Sequence, residues 1–278
     1  MRNVALGRML GFAAIAAILS LLAATPPLPA QQQSPNLALP ARINSLARQL
    51  YGIPYYQAGT IPGEIQKLVL GSLEAWFNQG SATHSPYPLD VQVRTQIEND
   101  FSQLHYPWFA TPSVFLQPWR GGELIGAGYT LGWSDFDRVN CVALFDRRSG
   151  KTSMVAITHF VPQTDLRYAF VPPSADGDFR FFIYGYLMGK SQPSLTAILY
   201  SFDGKELKDL WHRQDLFDGK IEVSPGTVIL RSVIEDEYEQ AVEQNHFPPG
   251  HESIFKVTPQ GLALVTEQQI PYQQVIQR

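Results

Sequence analysis

Two imidazoles and a carboxylate come close together at one place in this chain, His246-Phe247-Pro248-Pro249-Gly250-His251-Glu252. These are residue types that bind zinc, and a catalytic zinc takes several of them while keeping one position open. A helix would set both rings on one face, but Pro248-Pro249-Gly250 does not permit one. The chain has no His-Glu-x-x-His sequence, and His84, His105, His159 and His212 are dispersed. The reading is a loop with incidental histidines, with no metal and no cofactor expected.

Carboxylates gather twice, in Glu235-Asp236-Glu237-Tyr238-Glu239 and in Asp135-Phe136-Asp137 ahead of Asn140. Glycan hydrolysis needs two carboxyl groups roughly 5–10 Å apart, and these runs are where a secreted hydrolase of glycan or peptide would find them. Neither run has the spaced Asp/Asn and terminal Glu of a calcium loop. Both read as solvated turns or as charge that blunts a sheet edge. No Gly-x-Ser-x-Gly nucleophile sequence occurs. Ser149-Gly150-Lys151-Thr152 resembles the end of a phosphate-binding loop, but the first glycine of that loop would fall on Phe145 and a strand pattern follows. A hairpin turn is expected there. The single cysteine, Cys141, lies in the apolar run Val139–Leu144. It reads as a small buried hydrophobe, and one thiol makes no intramolecular disulfide.

Two aromatic-rich loops, Tyr106-Pro107-Trp108-Phe109 and Pro118-Trp119-Arg120-Gly121-Gly122, suggest a ligand surface. Trp108, Trp119 and Arg120 are the candidate binding residues, since exposed rings stack on sugars or anchor partner proteins. The same rings would also serve to cement helices onto a sheet. The chain carries 21 Lys plus Arg against 25 Asp plus Glu, with no basic cluster, which argues against nucleic acid as a partner.

Several elements must position these residues. Arg2 and Arg8 precede an apolar run from Met9 to Ala24, and Thr25-Pro26-Pro27-Leu28-Pro29-Ala30 follows. That order is a secretory signal over 1–30, cleaved after Ala30. Its apolar core is about 15 residues, short of the roughly 20 needed to span a bilayer. An exported location, periplasmic or extracellular, is expected, with no stable membrane insertion after cleavage. Residues 31–40 form a flexible leader. Over 41–106 the apolar period is helical: Ile43, Leu46, Ala47 and Leu50; then Ile65, Leu68, Val69, Leu73, Trp76 and Phe77; then Val93, Ile97 and Leu104. Asp90 suits an N-cap for the third helix.

Over 112–268 the pattern changes to short alternating runs separated by Gly, Pro and Asp-Gly, with no helix-length crossover, so antiparallel pairing is expected. A tail, 269–278, follows. Hairpin signals end in Gly150, Gly204 and Gly261. Ala143 to Lys151 and Leu199 to Trp211 resemble the strand–Asp–turn–Gly-Lys–strand of quinoprotein-type propeller repeats, over about ten residues each. The spacing of these three glycines, with a hairpin late in each set of strands, suggests about three four-stranded units in a small propeller-like arrangement. The expectation is an α+β chain, a helical subdomain followed by an antiparallel β-meander. Its expected role is a non-enzymatic binding or envelope-associated module for an unidentified protein or glycan ligand. Export predicts a mature chain that begins at Gln31, and mass determination of the exported protein checks it; a full-length, membrane-extracted species would contradict the reading.

Overall fold

The computed structural model describes residues 38–79, 86–134, 136–158, 166–188 and 193–277. The signal 1–30, most of the leader, His84, His159 and Asp135 lie outside the described residues. Three helices come first: α1 (Leu39–Arg48), α2 (Ile61–Asn78) and α3 (Leu89–Asp100). Proline opens α1 and α2, where its missing N–H costs nothing. Asp90 sits inside the first turn of α3, and Pro88 holds the cap position instead. The acid there still faces the positive end of the helix dipole.

The helices cover a four-stranded antiparallel sheet, β1 (Phe109–Trp119), β2 (Gly122–Gly132), β3 (Arg138–Arg148) and β4 (Lys151–Ile157), in the order β1-β2-β3-β4. The three helices and this sheet share one hydrophobic core. Ile43, Leu46, Ile65, Val69, Leu73, Phe77, Val93, Ile97 and Phe101 pack against Ile125, Ala127, Tyr129, Cys141, Ala143 and Phe145. Phe77 meets Phe145 with ring centroids 5.2 Å apart, and Phe101 meets Tyr129 at 5.0 Å. Cys141 is buried, its thiol pushed up to about 12 by that burial, and the side-chain amide of Gln66 donates to its sulfur at 3.1 Å.

The other face of this sheet is buried too. Side chains alternate across a strand, so Phe115, Leu124, Val142 and Leu144 point away from the helices. They meet Phe179, Phe181, Ile183, Tyr200 and Phe202 of a second sheet. Phe115 is the centre of this layer, with Tyr168 at 4.8 Å, Phe170 at 5.3 Å and Phe181 at 5.3 Å. Its cross-strand partner is Gly126, where a Cβ would sit 2.0 Å from the Phe115 ring.

The second sheet has seven antiparallel strands: β5 (Arg167–Val171), β6 (Phe179–Met188), β7 (Pro193–Phe202), β8 (Leu207–Val223), β9 (Thr227–Val233), β10 (Gly250–Thr258) and β11 (Gly261–Ile270), paired in sequence order. It curls so that the β10–β11 hairpin comes against β8 and the start of β6. Gly261 in the β10–β11 turn lies against Leu210 of β8, where a Cβ would come within 2.9 Å of the Leu210 carbonyl oxygen. Buried Arg180 of β6 donates to the carbonyls of Pro172 (2.6 and 2.9 Å), Pro173 (3.3 Å) and Thr258 (2.5 Å). Two short helices, α4 (Glu235–Glu243) and α5 (Tyr272–Ile276), complete the second sheet's far end, where Val275 joins Val233 and Ile270.

The α+β class, the helices before the break and the antiparallel strands after it are all present. The three four-stranded units are not. One four-stranded sheet is followed by seven continuous strands. The turn signals Asp215 and Asp218-Gly219 lie inside the 17-residue β8, where Asp215 and Asp218 have positive φ and the register to β9 shifts. They mark bulges that bend one strand, not turns that separate two. The hairpins themselves form: Gly150, Gly204 and Gly261 all have positive φ, and Ser149-Gly150 is a two-residue turn between Arg148 and Lys151. The acidic run at Glu235 is the first turn of α4, where negative charge is stabilised by the helix dipole.

Two predictions follow from the helix–sheet core. Phe77 is buried whereas Trp76 is half-buried beside it, centroids 5.0 Å apart. Phe77→Ala should therefore cost about 3–5 kcal/mol and Trp76→Ala about 1–2, read from urea unfolding midpoints. The buried carboxyl of Asp100 accepts hydrogen bonds from Ser72 (3.1 Å) and Gln96 (3.1 Å), and desolvation raises its pKa to about 6. A pKa above the unfolded value favours folding while the group is protonated, and that advantage is lost as pH rises through about 6. Asp100→Asn should thus gain stability relative to the parent between pH 4 and pH 7.5, by on the order of 2–3 kcal/mol, in paired melts at the two pH values.

Candidate binding surface

Of the residues that could act as catalytic carboxylates or metal ligands, Asp137, Glu237, His251 and Glu252 are held in structural pairings. Asp137 accepts the backbone N–H of Tyr55 on one oxygen (3.1 Å) and the hydroxyl of Ser134 on the other (2.6 Å). Glu237 meets His251, with Oε2 and Nε2 2.5 Å apart. Glu252, the neighbour of His251, points to the opposite face of β10 and takes the guanidinium of Arg231 at 2.7 Å and the Gln268 amide at 2.9 Å. Arg231 also pairs with Glu222. His246 stands apart from both on the loop before β10. Among the described residues, no group of three or more His, Cys, Asp or Glu is placed to hold a metal ion.

Trp119 and Arg120 sit in the turn between β1 and β2. The Trp119 ring is buried against Phe202 at 5.2 Å, and its indole N–H donates to the Gly177 carbonyl (3.2 Å). Guanidinium groups of Arg120 and Arg148 lie 4.7 and 5.2 Å from its centroid. Arg120 donates to the Asp203 carbonyl (2.7 Å) and the Asp176 carbonyl (3.3 Å), and faces Asp178 at 3.5 Å. The pair clamps the first sheet onto the β5–β6 and β7–β8 connections. Asp203 in the latter accepts the N–H groups of Lys205 and Glu206, both at 2.8 Å, which hold its carboxyl below the usual range.

Trp108 belongs to a different assembly. Its indole N–H donates to the carbonyl of Ala47 at the end of α1 (2.9 Å), and its ring meets Tyr51 at 5.9 Å. The segment that follows α1 continues through Ile53, whose carbonyl takes the indole N–H of Trp133 (2.7 Å), to a single 3-10 turn at Tyr55–Gln57. That turn is held by Asp137 through the N–H of Tyr55. Segments 105–108 and 133–137 are thus pinned to 47–57 by three hydrogen bonds that end on indoles or on Asp137.

What they present outward is aromatic. Tyr106 is 95 % exposed, Tyr56 73 % and Tyr51 69 %, with Tyr55 and Phe136 about half exposed. Single exposed rings are ordinary, but these five lie on segments tied to one another. Tyr55 and Tyr56 meet at 6.0 Å, and Tyr51 rests on half-buried Trp108. Trp108 was visible in sequence as part of an aromatic loop; the tyrosines at 51, 55 and 56 were not, because stop signals at Gly52 and Pro54 mark only a connection there. The aromatic density of Tyr51-Gly-Ile-Pro-Tyr-Tyr is the signal that could have pointed to them.

No helix among the described residues is long and apolar enough to cross a membrane. No known protein-family model matches this chain, and no curated protein matches it.

Proposed function

We propose that this chain is an exported, non-enzymatic binding module that engages a partner protein through the aromatic patch of Tyr51, Tyr55, Tyr56, Tyr106 and Phe136. The signal pattern over 1–30 supports export. The observation that carries the binding role is the set of exposed rings on segment 47–57 and on the two segments pinned to it. A covered aromatic side chain contributes 150–250 Å², so at their present exposure the five rings offer on the order of 500–800 Å². That approaches the ~800 Å² that one side of a standard protein interface needs. Tyrosine also loses little side-chain entropy when held, which suits it to an anchor. The pairing of Asp137, Glu237 and Glu252 within the fold supports a non-enzymatic reading over a hydrolytic one.

A photo-crosslinking residue at position 106 tests the proposal in intact cells. A discrete protein adduct is expected. Tyr51→Ala and Tyr56→Ala should each abolish it or weaken the isolated complex about 30-fold, as loss of a hot spot does, with the circular dichroism spectrum unchanged. Glycan or peptide hydrolysis by the purified chain, lost in Glu237→Gln, would establish the hydrolase instead.

A further inference from the structure

A groove of 540 Å³ lies at the far end of the second sheet, between the loop that enters β10 and the β11–α5 junction. His246, Phe247, Pro248 and Pro249 form one wall, and Gln269, Pro271, Tyr272 and Gln273 the other. Its volume falls within the range of small-ligand sites. Phe247 is 70 % exposed, yet its ring is not loose: it stacks on Tyr272 at 5.7 Å with an interplanar angle of 20°. The Tyr272 hydroxyl donates to Asp218 at 2.8 Å, which fixes the supporting ring from behind. Prolines in both walls restrict the backbone.

We propose that this groove is a subsite for a neutral saccharide, separate from the aromatic patch that carries the proposed function. Its lining chemistry selects that class. An open aromatic face takes the C–H face of a pyranose ring, as the rim amides of Gln269 and Gln273 and the His246 imidazole bond its hydroxyls. Among the described residues no Lys, Arg, Asp or Glu lines the groove, so its chemistry favours a neutral ligand over a phosphate or uronate. The Tyr272–Asp218 bond holds the platform in place before a ligand arrives, which lowers the ordering cost of binding.

Titration of the whole mature chain with cellotetraose, chitotetraose, maltotetraose and mannotetraose, each to about 10 mM, tests this by NMR, a range that reaches millimolar Kd. At least one should shift the side-chain amide resonances of Gln269 and Gln273 and the ring resonances of Phe247. Phe247→Ala should weaken that binding roughly tenfold, and Tyr272→Phe by a smaller factor. Tyr51→Ala should leave it unchanged, which separates this site from the aromatic patch. No response to any of the four sugars would overturn the proposal. So would a response that survives Phe247→Ala, or a response confined to a proline-rich peptide run as control.

Discussion

The contact of the Phe115 ring with Gly126 is the constraint on which the layering rests. A sheet buried on both faces needs a second apolar surface pressed close to it, and a side chain at position 126 would occupy the space of that ring. With glycine there, Phe115 lies flat enough to reach Tyr168, Phe170, Phe179 and Phe181 across the interface. The helices cover one side of the first sheet and the aromatic strands of the second cover the other. The order of layers, helix, sheet, sheet, follows from β2 having buried residues on both of its faces.

Much of the fold was legible because period is a local property. The stripe of Ile65, Val69, Leu73 and Phe77 repeats every turn of a helix, and the same residues are the ones buried. Turn chemistry was legible in kind but not in consequence. Asp and Gly permit positive φ, which serves a hairpin at Asp203-Gly204 and a bulge at Asp218-Gly219 equally well. Only the cross-strand partners decide between them, and these are remote in sequence. Helix α4 was missed for a related reason. Its cap is Ile234, which makes no side-chain cap bond, so the strongest start signal is absent and only the acids of its first turn announce it.

The polar chemistry divides similarly. A histidine beside a glutamate reads as a potential ligand pair, but strand alternation sends His251 and Glu252 to opposite faces, each toward a different partner. Two indoles of similar local sequence also have different surroundings. Trp119 is enclosed between two guanidinium groups and a neighbouring turn, whereas Trp108 underlies a surface that remains aromatic and open. Neither outcome depends on the residues that flank them in the chain. Each depends on which segment is brought opposite by the fold.

Arg180 has a consequence for the order in which the molecule is assembled. Its guanidinium is buried, and one of the carbonyls that receives it belongs to Thr258, 78 positions later in the chain. Strand β6 can pair with its neighbours as soon as they exist, but the charge at its start is not fully accommodated until the last hairpin has closed over it. A buried cation lacking a partner is costly, so partly assembled forms of the second sheet are held open by solvation of that one side chain. Closure of the curled sheet therefore depends on a contact between positions 78 apart in the chain, the kind of long-range pairing that slows folding in β-rich chains.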